Sequence, residues 1–406
     1  MAGGGTRKLG CDPRAVEDSV ARFHAHRPAH FALVTTPRPT FTPPMRFVIL
    51  TAGYGEGHNA AARGLHAAFA ELGAESEIVD LFALTGGAFY DRSRRDYLAL
   101  INRAPKVWAF VYGLIDRFPV GHFALPALGK MQAALAELLA AKKPDAVLSV
   151  YPVYGYLIEK LFPRRADRPF AFHTVVTDSI TINSVWHRCA SDTFLVPNED
   201  TARVLRAAGL PPETIHATGF PVPPCFADPR PPRTVPGAGS PGRVLFMINA
   251  GKDRAPAVVE RLLRLDGIHL TVTVGRDEVL RARLEQIARD AGRDVEMHGW
   301  TDRMPELVMS HHLLIGKAGG ATVQEAIAAR TPMLITQVVP GQEEGNARLL
   351  FQNGCGALCE TPEVLAAQVR SLFANDAEQW KRWEENIARI SKPDAARAIA
   401  RFCSSL

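Results

Sequence analysis

Two adjacent glycines after an apolar stretch mark a place where this chain could bind an anion. The hydrophobic pattern predicts a strand at 313–315 that runs into Gly319 and Gly320. A helix is predicted from Thr322, and a second strand at 333–336. Backbone N–H groups at such a turn can approach an anion closely, and the helix dipole adds positive potential there. A diphosphate suits this geometry.

Lys317 and Glu325 lie on either side of this turn. Lys317 precedes the glycines by two residues and adds a full positive charge. Glu325 has two interpretations. With Thr322 it forms a Thr-x-x-Glu capping box, in which the carboxylate caps its own helix. One turn into the helix, the same carboxylate could instead accept two hydrogen bonds from a ribose diol. The local sequence leaves both interpretations open.

Amide and carboxylate side chains follow the second strand, in the run PGQEEGN. Gln342, Glu343 and Asn346 come just past the carboxyl end of that strand, which is where open α/β sheets bind ligands. Together they offer both donors and acceptors of hydrogen bonds, as the hydroxyls of a sugar require. A solvated polar loop is the alternative interpretation.

A second glycine-rich turn lies near the start of the chain and ends in a histidine. Gly53, Gly55 and Gly57 separate a predicted strand from a helix predicted at 59–72. His58 lies at the helix N-terminus, where the dipole disfavours imidazolium, so the ring should stay neutral and available as a base. A nucleotide site at this turn and a plain helix-start role for the histidine are the alternatives.

Asp178 ends the predicted strand FAFHTVVTD. A carboxylate at the carboxyl end of a strand could orient His58 or contact an acceptor substrate. Since Asp commonly caps turns, a structural role is equally open.

Basic and aromatic residues alternate with each other within the segment 81–135. The basic residues include Arg92 and Arg95, and the aromatic residues include Trp108, Phe110 and Tyr112. This composition suits a membrane interface. Core packing would explain the aromatic residues equally well. An aromatic-basic groove for nucleic acid is a further alternative, but nothing else in the chain supports it and we expect no nucleic-acid partner.

Length and composition indicate a two-domain globular protein. The chain has 406 residues, of which 47% are apolar and 22% charged, with a net charge of +5. No apolar run is long enough to predict a membrane-spanning helix, and six scattered cysteines favour a reduced cytoplasmic setting. The predicted segments are a flexible extension at 1–44, a first domain at 45–222, a Pro/Gly-rich linker at 223–241, a second domain at 242–375 and returning helices at 376–406.

The runs AGGATVQEA, PGQEEGNA and NGCG in the second half resemble the monogalactosyldiacylglycerol synthases and the bacterial diacylglycerol glucosyltransferases. The block HTVVTDSITINSVWHRCASDTFLVPNED resembles the same family, and the second half is more remotely similar to the peptidoglycan N-acetylglucosaminyltransferase. The resemblance implies an α/β fold of the GT-B type. In that fold two Rossmann-like domains face each other across a cleft, and the last helix crosses back to the first domain.

The resemblance also implies roles for particular residues. His58 would be the catalytic base, with Asp178 beside it. The UDP phosphates would lie at 318–322, the ribose at Glu325 and the sugar at 342–346. Gly251 is the one glycine left in a loop that is glycine-rich in the family, and Gly299 and Trp300 would lie against the uracil. The residues assigned to the UDP-sugar are Gly251, Gly299, Trp300, Lys317, Ala318, Gly319, Gly320, Ala321, Thr322, Glu325, Gln342, Glu343, Gly345 and Asn346.

The implied activity is inverting transfer of a hexose from a UDP-sugar to a lipid, with 1,2-diacylglycerol as the first choice. The protein would work peripherally at the anionic inner face of the cell membrane. No Asp-x-Asp motif occurs, so we expect no cofactor and no metal ion in the site. The alternatives are another lipid or polyprenyl-linked acceptor, a UDP-N-acetylglucosamine 2-epimerase, and an inactive nucleotide-sugar sensor. The degraded loop at 248–254 is the feature that favours the sensor.

Overall fold

The computed structural model describes residues 44–118, 128–189, 191–237 and 239–405. The predicted extension at 1–44 therefore lies outside the described residues, apart from its last residue. The described part of the chain contains two six-stranded β-sheets, one in each half of the sequence. Both are parallel throughout.

The sheet of the first half has the strand order β2-β1-β3-β4-β5-β6. Its central strands β3 and β4 are almost entirely buried, as expected where helices cover both faces of a parallel sheet. The strands are β1 (Arg46–Thr51), β2 (Glu75–Asp80), β3 (Ala146–Ser149), β4 (Ala171–Val175), β5 (Thr193–Leu195) and β6 (Ile215–His216). The helices described in this half are α1 (Glu56–Glu71), α2 (Leu81–Arg103), α3 (Pro105–Arg117), α4 (Gly129–Lys142), α5 (Val153–Leu161) and α6 (Glu199–Ala207).

The sheet of the second half has the strand order β12-β11-β10-β7-β8-β9. The strand that carries the Gly319-Gly320 turn is therefore central, where the order of connection reverses. The strands are β7 (Gly242–Met247), β8 (Ile268–Thr273), β9 (Val295–His298), β10 (Leu313–Lys317), β11 (Met333–Gln337) and β12 (Gly356–Leu358). The helices are α7 (Ala255–Leu263), α8 (Glu278–Asp290), α9 (Met304–Ser310), α10 (Gly320–Ala329), α11 (Glu344–Gln352), α12 (Pro362–Ile390) and α13 (Ala395–Ser404).

The last helix returns to the first half of the chain. Non-helical backbone angles at 374–377 interrupt α12, and α13 then packs against α1. Arg397 of α13 donates to Glu71 at 2.6 Å and to Asp228 at 3.0 Å. The two parallel sheets and the returning helix confirm the predicted GT-B architecture.

Two arginines of the Pro/Gly-rich segment between the two sheets form hydrogen bonds to the second half of the protein. Arg233 donates to the Ala329 carbonyl at 3.0 Å and to Thr331 Oγ1 at 2.6 Å. Arg230 donates to the same carbonyl at 2.8 Å. These bonds satisfy backbone oxygens at the C-terminal end of α10, which the helix itself leaves unpaired. They thereby hold α10 in place, and the N-terminus of this helix faces the cleft.

Among the described residues, no helix is long and apolar enough to cross a bilayer.

Candidate active site

The N-terminus of α10 presents free backbone N–H groups to the cleft. Its N-cap is Gly319, which provides no side-chain hydrogen bond, and the helix begins at Gly320 rather than at the predicted Thr322. The capping-box interpretation is therefore wrong, because Thr322 lies inside the first turn and its hydroxyl points to the sulfur of Met247 at 3.8 Å. An uncapped helix tip of this kind can bind an anion through its first amides.

A second uncapped helix tip faces the first from the other half of the chain. The N-cap of α1 is Gly55, again without a side-chain hydrogen bond. A Cβ atom added at Gly57 would lie only 3.9 Å from the backbone nitrogen of Ala321. Both tips line one cavity of about 240 Å³. Since each helix contributes about half a positive charge at its N-terminus, the space between them is suited to a diphosphate.

Lys317 lies at the edge of this cavity, but its charge is already paired. Its ammonium group donates to Glu343 Oε1, and the other oxygen of Glu343 accepts from the backbone of Val339 at 2.9 Å. Glu343 is only 6% exposed. Both carboxylate oxygens are thus engaged, and in this structure Glu343 holds Lys317 in place. The unpaired positive potential of the cavity comes from the helix tips.

Two amide side chains of the PGQEEGN run also line this cavity. Asn346 donates from Nδ2 to the Ala318 carbonyl at 3.2 Å. Its Oδ1 atom is buried and has no hydrogen-bond partner among the described residues. Gln342 accepts through Oε1 from the hydroxyl of Tyr97 at 3.0 Å. An unpaired buried acceptor beside a cavity is a group that a sugar hydroxyl can satisfy.

Gly345, whose assignment to the sugar stays a prediction, joins the two halves of the protein. Its backbone N–H donates to Thr181 Oγ1 at 2.8 Å. A Cβ atom at this position would lie 1.8 Å from the carbonyl oxygen of Ser179. Gln324 adds a bond from Nε2 to Ser179 Oγ at 3.0 Å. Only glycine allows α11 to approach the loop after β4 this closely.

The remaining residues assigned to the nucleotide do not line the cavity between the helix tips. Gly251 is exposed, with a φ of 64°. Gly299 and Trp300 follow β9, the outer strand of the sheet, and Trp300 is 66% exposed beneath the Arg276 guanidinium. Glu325 faces α1, where burial raises the pKa of its carboxyl from 4.5 to about 7 and the nearby Arg63 partly opposes that rise. The ribose and uracil roles of these residues stay predictions.

His58 is held as a neutral base. Its Nδ1 atom lies 2.8 Å from the Val150 carbonyl and 3.0 Å from Thr177 Oγ1. A carbonyl only accepts, so Nδ1 carries the ring proton and Nε2 keeps a free lone pair. Burial lowers the pKa of the ring from 6.5 to about 4, and the bond to Val150 partly offsets that effect. At neutral pH the ring is therefore uncharged, with Nε2 ready to accept a proton.

Asp178 lies in the same part of the cleft but does not orient this ring. Its Oδ2 atom accepts from the indole N–H of Trp186 at 2.8 Å, and the described residues include no hydrogen bond between Asp178 and His58. Burial raises the pKa of the Asp178 carboxyl from 3.8 to about 6, and the bond from Trp186 partly opposes this. Val150 and Thr177 orient His58, and Asp178 lines the same two cavities as His58.

A second cavity of about 330 Å³ adjoins the first and is lined mainly by aromatic side chains. The two cavities share a wall made of five residues, which we call the shared wall. These are Tyr54, His58, Tyr97, Asp178 and Gln342. The base thus borders both the anion-binding space and the aromatic space.

The sequence analysis missed most of the aromatic lining. Tyr54 and Tyr151 follow the carboxyl ends of β1 and β3 directly, and that position was a usable signal, since ligands bind at these ends. Tyr97 and Trp186 gave no such signal. They reach the cavity from a helix interior and from a short 3-10 turn at 184–186.

The basic and aromatic residues assigned to the acceptor or membrane divide into two groups. Trp108 and Tyr112, together with Ile115, line the aromatic cavity from one face of α3. Phe110 is 72% exposed on another face of the same helix. Arg92 and Arg95 are exposed on α2, where Arg92 pairs with Asp96 at 3.7 Å and Arg95 donates to the Asp91 carbonyl at 3.3 Å.

Two Rossmann-like halves, with paired helix tips and a neutral histidine at the cleft between them, have the GT-B architecture. MurG of Acinetobacter baumannii shows the same fold, with a TM-score of 0.58 at 15% identity over 89% of this chain and 100% of that one. The monogalactosyldiacylglycerol synthase domain matches residues 58–222, and the glycosyltransferase family 28 C-terminal domain matches residues 254–399.

Two curated proteins extend this likeness over most of the chain. A probable monogalactosyldiacylglycerol synthase of Nicotiana tabacum is 26% identical over 374 residues, covering 87% of this chain and 69% of that protein. A processive diacylglycerol beta-glucosyltransferase of Bacillus subtilis is 25% identical over 363 residues, covering 87% of this chain and 93% of that protein. These matches confirm the resemblance to the monogalactosyldiacylglycerol synthases and the bacterial diacylglycerol glucosyltransferases that the sequence motifs predicted.

Proposed function

We propose that this enzyme transfers a hexose from a UDP-sugar to 1,2-diacylglycerol, with inversion at the anomeric carbon. One observation carries the proposal most directly. His58, a neutral base with a free Nε2 atom, borders both the cavity between the helix tips and the aromatic cavity. A donor in the first cavity and an acceptor in the second would meet at this ring.

The reaction is a single displacement. The acceptor hydroxyl oxygen attacks the anomeric carbon, its proton passes to His58 Nε2, and the bond from the anomeric carbon to the UDP oxygen breaks. UDP leaves with the bonding electron pair, and its negative charge grows between the tips of α1 and α10. Fixed dipoles that point at developing charge lower the barrier without reorganisation. Proton removal by a positioned base contributes on the order of 10²–10⁴ in rate.

Because burial makes His58 a weak base, proton transfer to it would be easier if a negative charge stabilised the imidazolium form. The imidazolium formed during transfer lies in the same part of the cleft as Asp178, which is largely ionised at neutral pH because its pKa is about 6. An opposite charge nearby stabilises imidazolium. Asp178 would thus raise the basicity of His58 during the reaction, without contacting the ring in the free enzyme.

The surface of α3 supports work at a membrane. Val107, Phe110 and Leu114 are exposed and repeat at helical spacing, so they form one face of α3, which we call the outer stripe. The exposed Phe118 follows the end of the helix. The exposed cations Lys106 and Arg117 flank it. Apolar residues bordered by cations suit the surface of an anionic bilayer. We therefore place the enzyme peripherally on the inner face of the cell membrane, with UDP-hexose and lipid as its partners.

The aromatic cavity is the feature that separates transfer from the alternatives. An epimerase acts on the sugar nucleotide alone and needs no second substrate space beside the base. A sensor needs no base. The cavity adjoining His58, with an interior of about 330 Å³, favours an enzyme with a separate apolar acceptor.

A labelled-sugar assay tests the proposal. The full chain would be incubated with UDP-[¹⁴C]glucose or UDP-[¹⁴C]galactose and liposomes that contain diacylglycerol. We expect label in the lipid phase. We also expect His58→Ala to abolish this transfer while UDP affinity by calorimetry stays nearly unchanged. His66→Ala, on the exposed side of the same helix, is the matched control and should transfer normally.

Other outcomes of the assay would contradict the proposal. Conversion of the free sugar nucleotide without lipid labelling would indicate an epimerase, and binding without turnover a sensor. A large loss of UDP affinity in His58→Ala would place the histidine in the donor site.

A further inference from the structure

A hydrogen bond between Tyr97 and Gln342 joins the two halves of the protein inside the cleft. Tyr97 lies on α2 of the first half, and Gln342 follows β11 of the second half. The tyrosine hydroxyl donates to Gln342 Oε1 at 3.0 Å. Both side chains belong to the shared wall. The bond therefore fixes which end of the Gln342 amide points away from the tyrosine.

The tyrosine is held firmly on its own side of the cleft. Its ring packs edge-on against Trp108, with centroids 5.1 Å apart, and against Tyr54, with centroids 5.9 Å apart. Burial raises the pKa of Tyr97 to about 12, and the bond to Gln342 partly opposes that rise. The hydroxyl therefore keeps its proton at neutral pH and can donate it.

The backbone around Gln342 is fixed as well. Gly341 has a φ of 81°, and a Cβ atom there would lie only 3.1 Å from the ring of Tyr112. The backbone N–H of Glu343 donates to the Val339 carbonyl at 2.9 Å and closes a turn. With the backbone held in this way, the orientation of the amide depends on its own hydrogen bond.

This bond gives the amide one occupied end and one free end. Oε1 accepts from Tyr97, whereas Nε2 forms no hydrogen bond to any described residue. Gln342 is only partly buried and lines the cavity between the helix tips. An amide nitrogen only donates, so its free end suits a hydroxyl oxygen of a sugar. Without the tyrosine hydroxyl the amide could turn over, and it would then present its nitrogen for only part of the time.

We propose that Tyr97 is a positioning residue for the donor: its hydroxyl holds the Gln342 amide with Nε2 directed at the hexose of the UDP-sugar. This inference rests on the proposed function. It adds a residue of the first half that acts on sugar binding through a side chain of the second half. Because UDP has no hexose, Tyr97 should matter for the binding of UDP-hexose and not for the binding of UDP.

Calorimetry on the full chain, with UDP-glucose, UDP-galactose and UDP, tests the inference. Tyr97→Phe keeps the ring and removes the hydroxyl. We expect Kd for the UDP-hexose that wild type binds to rise about fivefold, the size of one neutral hydrogen bond, while Kd for UDP stays unchanged. In the transfer assay KM for UDP-hexose should rise by the same factor. The value of kcat should stay within about twofold, because Gly345 still packs on the loop at 179–181.

A double-mutant cycle separates positioning from a general structural effect. Gln342→Ala should raise Kd for UDP-hexose at least as much as Tyr97→Phe does. The double variant should bind no more weakly than Gln342→Ala alone, because the tyrosine acts through the amide. Tyr156→Phe, at a buried tyrosine of α5 that lines neither of these two cavities, is the matched control and should bind both nucleotides like wild type.

The outcomes separate this inference from the function on which it rests. Equal losses on UDP-hexose and UDP, or additive losses in the double variant, would show that Tyr97 does not act through Gln342, and the proposed function would stand. If wild type binds neither UDP-glucose nor UDP-galactose, the proposed function itself fails and the inference fails with it.

Discussion

Burial acts in opposite directions on His58 and Asp178, the two ionisable side chains of the proposed reaction. It lowers the pKa of His58 to about 4 and raises that of Asp178 to about 6. Between these two values both groups are neutral, because the imidazole has already lost its proton and the carboxyl has not. Only above about pH 6 does a carboxylate stand near the ring that must accept a proton. The proposed reaction therefore predicts that Asp178, rather than His58, sets the pH range of transfer.

We predict that kcat/KM for transfer falls about tenfold per pH unit below pH 6, as expected for one essential ionised group. Asp178→Asn should be slower at pH 7.5, by on the order of 10² if the lost charge no longer stabilises imidazolium. The rate of this variant should be flat between pH 5 and 7. The measurement is a pH profile of transfer with both proteins. Asparagine keeps an oxygen for the Trp186 N–H, so the fold at this position is preserved.

A variant profile that still bends near pH 6 would assign the titration to another group. Glu325 is the next candidate, since its pKa is about 7. The profile of Glu325→Gln distinguishes the two carboxyls.

At the scale of the element, α3 has two different faces, to which the proposed function assigns different roles. One face lines the aromatic cavity with Trp108, Tyr112 and Ile115, and the outer stripe is exposed to solvent. A helix that contacts the bilayer with one face and the acceptor cavity with another gives a lipid a short path between them. This arrangement explains why an exposed apolar face is tolerated here.

We predict that Phe110→Ser combined with Leu114→Ser lowers binding to anionic vesicles at least tenfold. Each side chain contributes about 1.5–3 kcal/mol when it leaves water for lipid. Transfer to diacylglycerol in detergent micelles should stay within about twofold of wild type, because the cavity face is unchanged. Vesicle sedimentation measures the binding. Val364→Ser, an exposed apolar residue of α12, is the matched control, and equal losses in both variants would exclude a specific role for the outer stripe.

Sequence patterns predicted the elements of this site better than the contacts between them. Gly319 and His58 were found because a strand, a glycine turn and a helix start are all local signals. The start of α10 was predicted two residues late. A glycine N-cap has no side chain that would mark the helix start, whereas Thr322 and Glu325 have the spacing of a capping box.

The sequence analysis did not predict the hydrogen bonds between residues that lie far apart along the chain. His58 bonds to Val150, and Tyr97 bonds to Gln342, across distances along the chain that no local pattern encodes. The pairing of Lys317 with Glu343 was missed for the same reason, and both residues had been assigned to the ligand. Which polar group is free to bind substrate depends on such pairs.

At the scale of the whole molecule, a few close contacts hold the halves together. Gly345 packs on the loop at 179–181, and Tyr97 bonds to Gln342. Arg397 connects α13 to Glu71 and Asp228. The first two contacts lie beside the cleft, so in the proposed reaction they would set the distance from His58 to the donor sugar.

We predict that Gly345→Ala prevents this closure, because its Cβ atom would lie 1.8 Å from the Ser179 carbonyl oxygen. Transfer should fall on the order of 10²-fold, as a displacement of about 1 Å at the reacting groups can cause. UDP affinity should change little. Small-angle scattering should show a larger radius of gyration. Glu344→Ala, its exposed neighbour on α11, is the matched control, and normal turnover by Gly345→Ala would mean that the halves close by other contacts.

The shared wall has a consequence for how the two substrates bind. Its five side chains line both cavities. In the proposed function they would contact the sugar nucleotide on one side and the lipid on the other, so each ligand would change the surface offered to the other. Thermodynamic linkage makes such an influence mutual: whatever factor the lipid applies to the dissociation constant of the nucleotide, the nucleotide applies to that of the lipid. Selectivity for the sugar is then partly a property of the glycerolipid already in place.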